Sequence, residues 1–118
     1  MNFSGMLKEG ALKDKVILIT GGGTGLGKSM GKYFMELGAH LIITSRRQEV
    51  LDETASEFND YNGEVLPISG DVRDHKDVKR IIESSLDKFG KIDCLLNNAA
   101  GNFISPTERL SPKAFDVI

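Results

Sequence analysis

Apolar positions along the chain fall into short unbroken runs alternating with longer segments of helical period. Val16-Ile17-Leu18-Ile19, Leu41-Ile42-Ile43-Thr44, Val65-Leu66-Pro67-Ile68 and Ile92 with Cys94-Leu95-Leu96 are runs of the kind that form strands buried on both faces of a parallel sheet. Between them, Leu26, Met30, Tyr33, Phe34 and Leu37 recur at helical spacing until Gly38, and residues 49–58 place Val50, Leu51, Ala55 and Phe58 on one face. A third helix is predicted from an N-cap at Asp74, through Val78, Ile81, Ile82, Leu86 and Phe89, to a stop at Gly90. Residues 59–63 read as a turn and 97–110 as a loop. Ser111-Pro112 has the signature of an N-cap followed by proline at the first helical position.

Strand and helix in alternation imply right-handed crossovers and a doubly wound parallel α/β sheet, with strand order 3-2-1-4. Pro67 cannot donate to a ladder, which places the third strand at or near an edge. The fourth strand is expected to form the other edge. Because the doubly wound fold is built from two such halves, residues 1–118 are expected to be the N-terminal part of a single nucleotide-binding domain of about twice this length. Residues before Lys15 read as a lead-in arm in which Leu7, Ala11 and Leu12 pack on the domain edge.

The stretch Thr20-Gly21-Gly22-Gly23-Thr24-Gly25-Leu26-Gly27, between the first strand and first helix, carries the chemistry. Glycines there permit positive φ and let a phosphate approach backbone N–H groups, while the following helix presents its unpaired amides and positive dipole end. Two templates compete. Gly22-x-x-x-x-Gly27-Lys28-Ser29 satisfies the P-loop pattern, in which Lys28 would reach phosphate and Ser29 would hold Mg²⁺. The common G-x-G-x-x-G dinucleotide spacing fails, because Leu26 or Lys28 falls at its last position. Thr20-Gly21-x-x-x-Gly25-x-Gly27 instead matches the turn of the short-chain dehydrogenase/reductase family, which this chain resembles.

Later residues favour the second template. At the end of the second strand Ser45 occupies the place where an acidic residue would select NAD, and Arg46 follows with a guanidinium suited to the 2′-phosphate of NADP. A P-loop wants a metal-binding Asp after an apolar strand. Asp71 fits poorly because Pro67 interrupts that strand, and Asp93 precedes its own. Asn97-Asn98-Ala99-Ala100-Gly101 closes the fourth strand, where small residues admit a ribose and Asn side chains can pin neighbouring strand ends. The family carries Asn-Asn-Ala-Gly here, so the second alanine is a departure.

That departure, with residues 102–112, Ser45-Arg46 and Asp71-Val72-Arg73-Asp74, resembles the 2,4-dienoyl-CoA reductase branch, whose members reduce dienoyl-CoA thioesters with NADPH. The resemblance implies a cofactor set of Gly21, Thr24, Gly25, Leu26, Gly27, Ser45, Arg46, Asp71, Val72, Asn98, Ala99 and Gly101, with Asp71 accepting from the adenine amino group. It implies acyl-CoA contacts at Arg73, Phe103 and Ser111, and a homo-oligomer, a tetramer in the family. The family's Tyr-x-x-x-Lys acid is not within these residues, since Tyr33 and Tyr61 are followed four residues on by Leu37 and Val65. No catalytic residue is therefore assigned, and these residues alone are expected to be inactive. A catalytically silent dinucleotide sensor and a reductase of simple ketones or alcohols stay open beside the dienoyl-CoA reading.

Composition trims the remaining classes. A formal net charge of −2 gives no basic footprint for nucleic acid or an anionic membrane, and no apolar run approaches the ~20 residues of a membrane span. Cys94 is the single cysteine, so no intrachain disulfide is expected, and His40 and His75 lack spaced metal-ligand partners. The N-terminus lacks a basic region followed by an apolar block, and a cytoplasmic location is the default expectation.

Overall fold

A computed structural model describes residues 10–21, 23 and 25–98, and the backbone of 104–106. Its strands are β1 (Val16–Thr20), β2 (His40–Thr44), β3 (Val65–Pro67), β4 (Cys94–Asn97) and β5 (Ile104–Pro106), and its helices are α1 (Gly25–Glu36), α2 (Gln48–Glu57) and α3 (His75–Phe89). The sheet order is β3-β2-β1-β4-β5. The first four strands are mutually parallel in the expected order 3-2-1-4, with Leu18 opposite both Ile42 and Leu95. β3 lies at an edge, in keeping with Pro67.

Alternation along the strands divides two hydrophobic layers. Ile17, Ile19, Leu41, Ile43 and Leu96 pack with Met35, Leu51 and Phe58 of the α1/α2 side, whereas Val16, Leu18, Ile42 and Leu95 pack with Val78 and Ile81 of α3. A fully buried aliphatic side chain contributes roughly 1.5–3 kcal/mol, so these central strands supply most of the core's stabilisation. Asp74 caps α3 by accepting from the Lys76 N–H, and Gly90 ends it in the left-handed conformation.

Three details differ from expectation. The outer side of β4 is not an edge, because Ile104–Pro106, read as loop, pairs antiparallel with it over Cys94–Leu96. A three-residue segment ending in proline has no alternation to detect, yet the unpaired ladder groups of β4 are satisfied by it. Secondly, α1 buries Gly27, Gly31 and Met35 while Leu26 is 52% exposed. Glycine stripes are invisible to an apolar-period search. They let a helix lie close on a sheet: a Cβ at Gly31 would stand 3.1 Å from Leu41 Cδ1. Thirdly, Leu86, assigned to the core face of α3, is 43% exposed, and Ser85 is buried, its hydroxyl donating to Ile81 O at 2.6 Å.

The amino ends of β1 and β4 are joined by Asp93, whose Oδ2 accepts from Val16 N–H at 2.8 Å beside the Lys91 ammonium at 3.2 Å, while its own N–H donates to Val16 O. Burial alone would raise this carboxyl. The Val16 N–H, Lys91 and Lys15 outweigh it and hold the group below the usual carboxylate value. A depressed folded value means stability that is present above about pH 4 and lost as pH falls through the folded value. Asp93→Asn in the full-length protein is expected to cost about 1 kcal/mol at pH 7 and progressively less as pH falls below about 4, read by urea denaturation across that range. A cost independent of pH would contradict this assignment.

Candidate functional site

The turn leaving β1 is fastened to three other elements. Gly21 N–H donates to Thr44 O at 2.8 Å, the Thr20 hydroxyl donates to Asn97 Oδ1 at 2.8 Å, and Asn98 Nδ2 reaches Gly21 O at 3.4 Å. From the far side the buried Thr54 hydroxyl of α2 donates to Gly23 O at 2.8 Å. Gly21 and Gly25 hold φ of +69° and +59°, the left-handed region that favours glycine. A Cβ at Gly27 would stand 2.3 Å from Gly21 O and 2.9 Å from Asn98 Nδ2, so the first turn of α1 packs directly on the loop.

This cradle faces outward at the carboxyl end of the sheet, where ligands of open α/β sheets bind. No acidic side chain occupies the first turn of α1, and the Cβ direction at Gly25 meets open space. Helix amides and dipole are thus directed at the turn without a competing carboxylate. Exposed Leu26 supplies an apolar surface beside it. The P-loop alternative lacks its lysine: Lys28 pairs with Glu57 near the end of α2. Ser29 is an exposed residue of α1.

The exits of β2 and β3 form the adjoining wall. Ser45 O accepts from Gly70 N–H at 2.8 Å, and Ser45 Oγ accepts from Arg47 N–H at 3.3 Å. Ser45 also borders the glycine turn, since a Cβ at Gly23 would lie 3.9 Å from its Oγ. Arg46 is exposed and has no hydrogen-bonded or ion-paired partner among the described residues. Asp71 accepts from Arg73 through Oδ1 (N–H at 2.9 Å, Nε at 3.1 Å) and Oδ2 (Nη2 at 3.1 Å). Its own N–H donates to Asp77 Oδ2 at 2.8 Å.

The Arg73 side-chain hydrogen bond, then its backbone N–H, hold the Asp71 carboxyl below its usual value against some desolvation, and the positive charges of Arg73 and Arg46 add to this. The same pairing raises the Arg73 guanidinium. Asp71 is thus a carboxylate at neutral pH with two arginines acting on it, and one of those arginines has no other partner among the described residues. Val72 is half-buried beside it.

Of the residues singled out by sequence, the structure gathers Gly21, Gly25, Leu26, Gly27 and Asn98 around one turn, and Ser45, Arg46, Asp71, Val72 and Arg73 along the neighbouring strand exits. Thr24, Ala99, Gly101, Phe103 and Ser111 lie outside the described residues. Sequence reading missed Thr54 and Gln48. Thr54 had a signal, a polar residue three positions after buried Leu51 and four before buried Phe58. Gln48 had none, being a polar residue in the first turn of a helix.

A short chain dehydrogenase family model matches residues 15–118, and the chain belongs to that family. It is 48% identical over 117 residues to a probable 2,4-dienoyl-CoA reductase of Caenorhabditis elegans, covering 98% of this chain and 38% of that protein. Among solved structures, a short chain dehydrogenase from Bacillus anthracis is 44% identical with a TM-score of 0.72 over 92% of this chain and 43% of its own. L-sorbose reductase from Gluconobacter frateurii, complexed with NADPH and L-sorbose, is 28% identical with a TM-score of 0.72 over 87% of this chain and 40% of its own. The chain therefore spans about two fifths of the length of the relatives it matches. Among the described residues no helix is long and apolar enough to cross a membrane.

Two substitutions test how the turn is held. Gly27→Ala is expected to destabilise the full-length protein by about 1–3 kcal/mol, because its neighbour is a backbone carbonyl that cannot rotate aside. Thr54→Val keeps the side-chain shape and leaves Gly23 O without its donor, at a cost of about 1–3 kcal/mol. Denaturant midpoints read both, and unchanged midpoints would contradict the packing described.

Proposed function

We propose that the full-length protein is an NADPH-dependent oxidoreductase that reduces 2,4-dienoyl-CoA thioesters. The observation that carries the reading is Arg46: an exposed guanidinium with no hydrogen-bonded or ion-paired partner among the described residues, at the β2 exit, beside a Ser where an NAD-selecting carboxylate would stand. At the start of α2 an unpaired cation opposes the helix dipole, which an anionic ligand would offset. The residues present fit a phosphorylated dinucleotide. The turn of Gly21, Thr24, Gly25, Leu26 and Gly27 would hold its pyrophosphate, Ser45 and Arg46 its 2′-phosphate, Asp71 and Val72 its adenine, and Asn98, Ala99 and Gly101 the nicotinamide-side ribose.

Bound NADPH would supply the hydride. This chain's residues bind and orient. Arg73, Phe103 and Ser111 are proposed for the substrate, Phe103 along the acyl chain and the two polar groups toward the thioester oxygen or the CoA arm. The name of the C. elegans relative supports that substrate class. A homo-oligomer in the cytoplasm completes the proposal.

Two measurements test it. Arg46→Ala is expected to weaken NADPH by about ten- to a hundredfold while leaving NADH nearly unchanged, the loss of one charge-assisted contact. An unaltered NADPH/NADH preference would remove Arg46 as the selector. Full-length protein assayed with NADPH is expected to turn over 2,4-hexadienoyl-CoA in preference to a panel of simple ketones and alcohols. Turnover of the panel alone would keep the cofactor reading and remove the dienoyl substrate.

A further inference from the structure

A side chain at the start of α2, just after the β2 exit, ties it to the exit of β3. Gln48 Oε1 accepts from Ser69 N–H at 3.0 Å, and its Nε2 donates to Pro67 O at 3.3 Å and to Asp52 Oδ1 at 2.8 Å. Gln48 stands two residues after Arg46, and Ser69 two residues before Asp71. The tie matters because α2 begins without a side-chain cap: Arg47 occupies the cap position and makes no capping bond. What fastens the first turn of the helix to the sheet is the Gln48 amide, with Ser45 O on Gly70 N–H beside it.

We infer that Gln48 is a positioning residue for discrimination between the two dinucleotides. This rests on the proposed function. Its amide sets where the Arg46 backbone stands relative to Asp71, and so whether the guanidinium meets a 2′-phosphate without further ordering cost. Arginine has many rotamers, and freeing its backbone adds to the conformational entropy that phosphate binding must overcome. The adenine contact at Asp71 is common to NADP and NAD, whereas the Arg46 contact belongs to NADP alone. Loss of the clasp should therefore weaken NADPH more than NADH. A merely structural role would weaken both alike.

The test uses Gln48→Leu, similar in size without the amide, in the full-length protein. Amide hydrogen exchange without dinucleotide is expected to quicken at Ser69 by about tenfold, reporting the lost acceptor. Calorimetric titration is expected to show the NADPH dissociation constant rising about three- to tenfold and that for NADH less than about twofold. In an Arg46→Ala background the same substitution should leave the NADPH/NADH ratio unchanged, because the group being positioned is gone. Equal weakening of both dinucleotides, or a ratio shift that persists without Arg46, would overturn the inference alone. Wild-type protein that binds neither dinucleotide would overturn the site reading and this inference together.

Discussion

The chain leaving β1 must turn sharply at the centre of a parallel sheet, where its backbone groups are shielded from water and have to find partners within the protein. Buried unpaired amides and carbonyls cost about 1–3 kcal/mol each, so the turn persists only if neighbouring elements supply those partners. Three do: Thr44 of β2, the Asn97-Asn98 exit of β4, and Thr54 of α2. Each comes from a different crossover, and the turn is therefore set by the whole topology rather than by its own glycines. Gly27 then lets α1 start hard against the loop. Its free amide end follows from that contact.

The same edge explains how the charges are arranged. Arg73 lies on Asp71 through a nearly surface-level pair, which exposed ion pairs seldom make strongly stabilising. Such a pair holds its groups in place and is readily exchanged for a ligand. Arg46, on the other side, has no comparable partner among the described residues. A carboxylate between two guanidiniums, one occupied and one open, suits a ligand that brings both hydrogen-bond donors and negative charge.

How much of this was legible in sequence depended on whether the determining residues carried a local signature. Strand identity and order followed from apolar runs such as Leu41-Ile42-Ile43, and the cap of α3 followed from Asp74 and Gly90, because these are decided by period and local hydrogen bonding. The glycine turn was legible for the same reason. β5 was not, since Ile104-Ser105-Pro106 becomes a strand only because β4 offers an unpaired edge. On α1 the reading of Met30, Phe34 and Leu37 as core-facing held, whereas Leu26 is exposed and the close approach achieved with Gly27 and Gly31 went unread because it carries no hydrophobic signal. Thr54 and Gln48 act through tertiary hydrogen bonds across 31 and 21 residues of chain, separations that no local pattern encodes.

In the proposed function one continuous surface, from the glycine turn across the β2 exit to Asp71, receives a dinucleotide with its 2′-phosphate on Arg46. A crystal structure of the full-length protein with NADPH tests it most directly. The expected result is the pyrophosphate against the backbone amides of Gly25–Gly27 and the 2′-phosphate within hydrogen-bond distance of the Arg46 guanidinium. Pyrophosphate bound away from that turn, or a 2′-phosphate in solvent with Arg46 turned elsewhere, would contradict it.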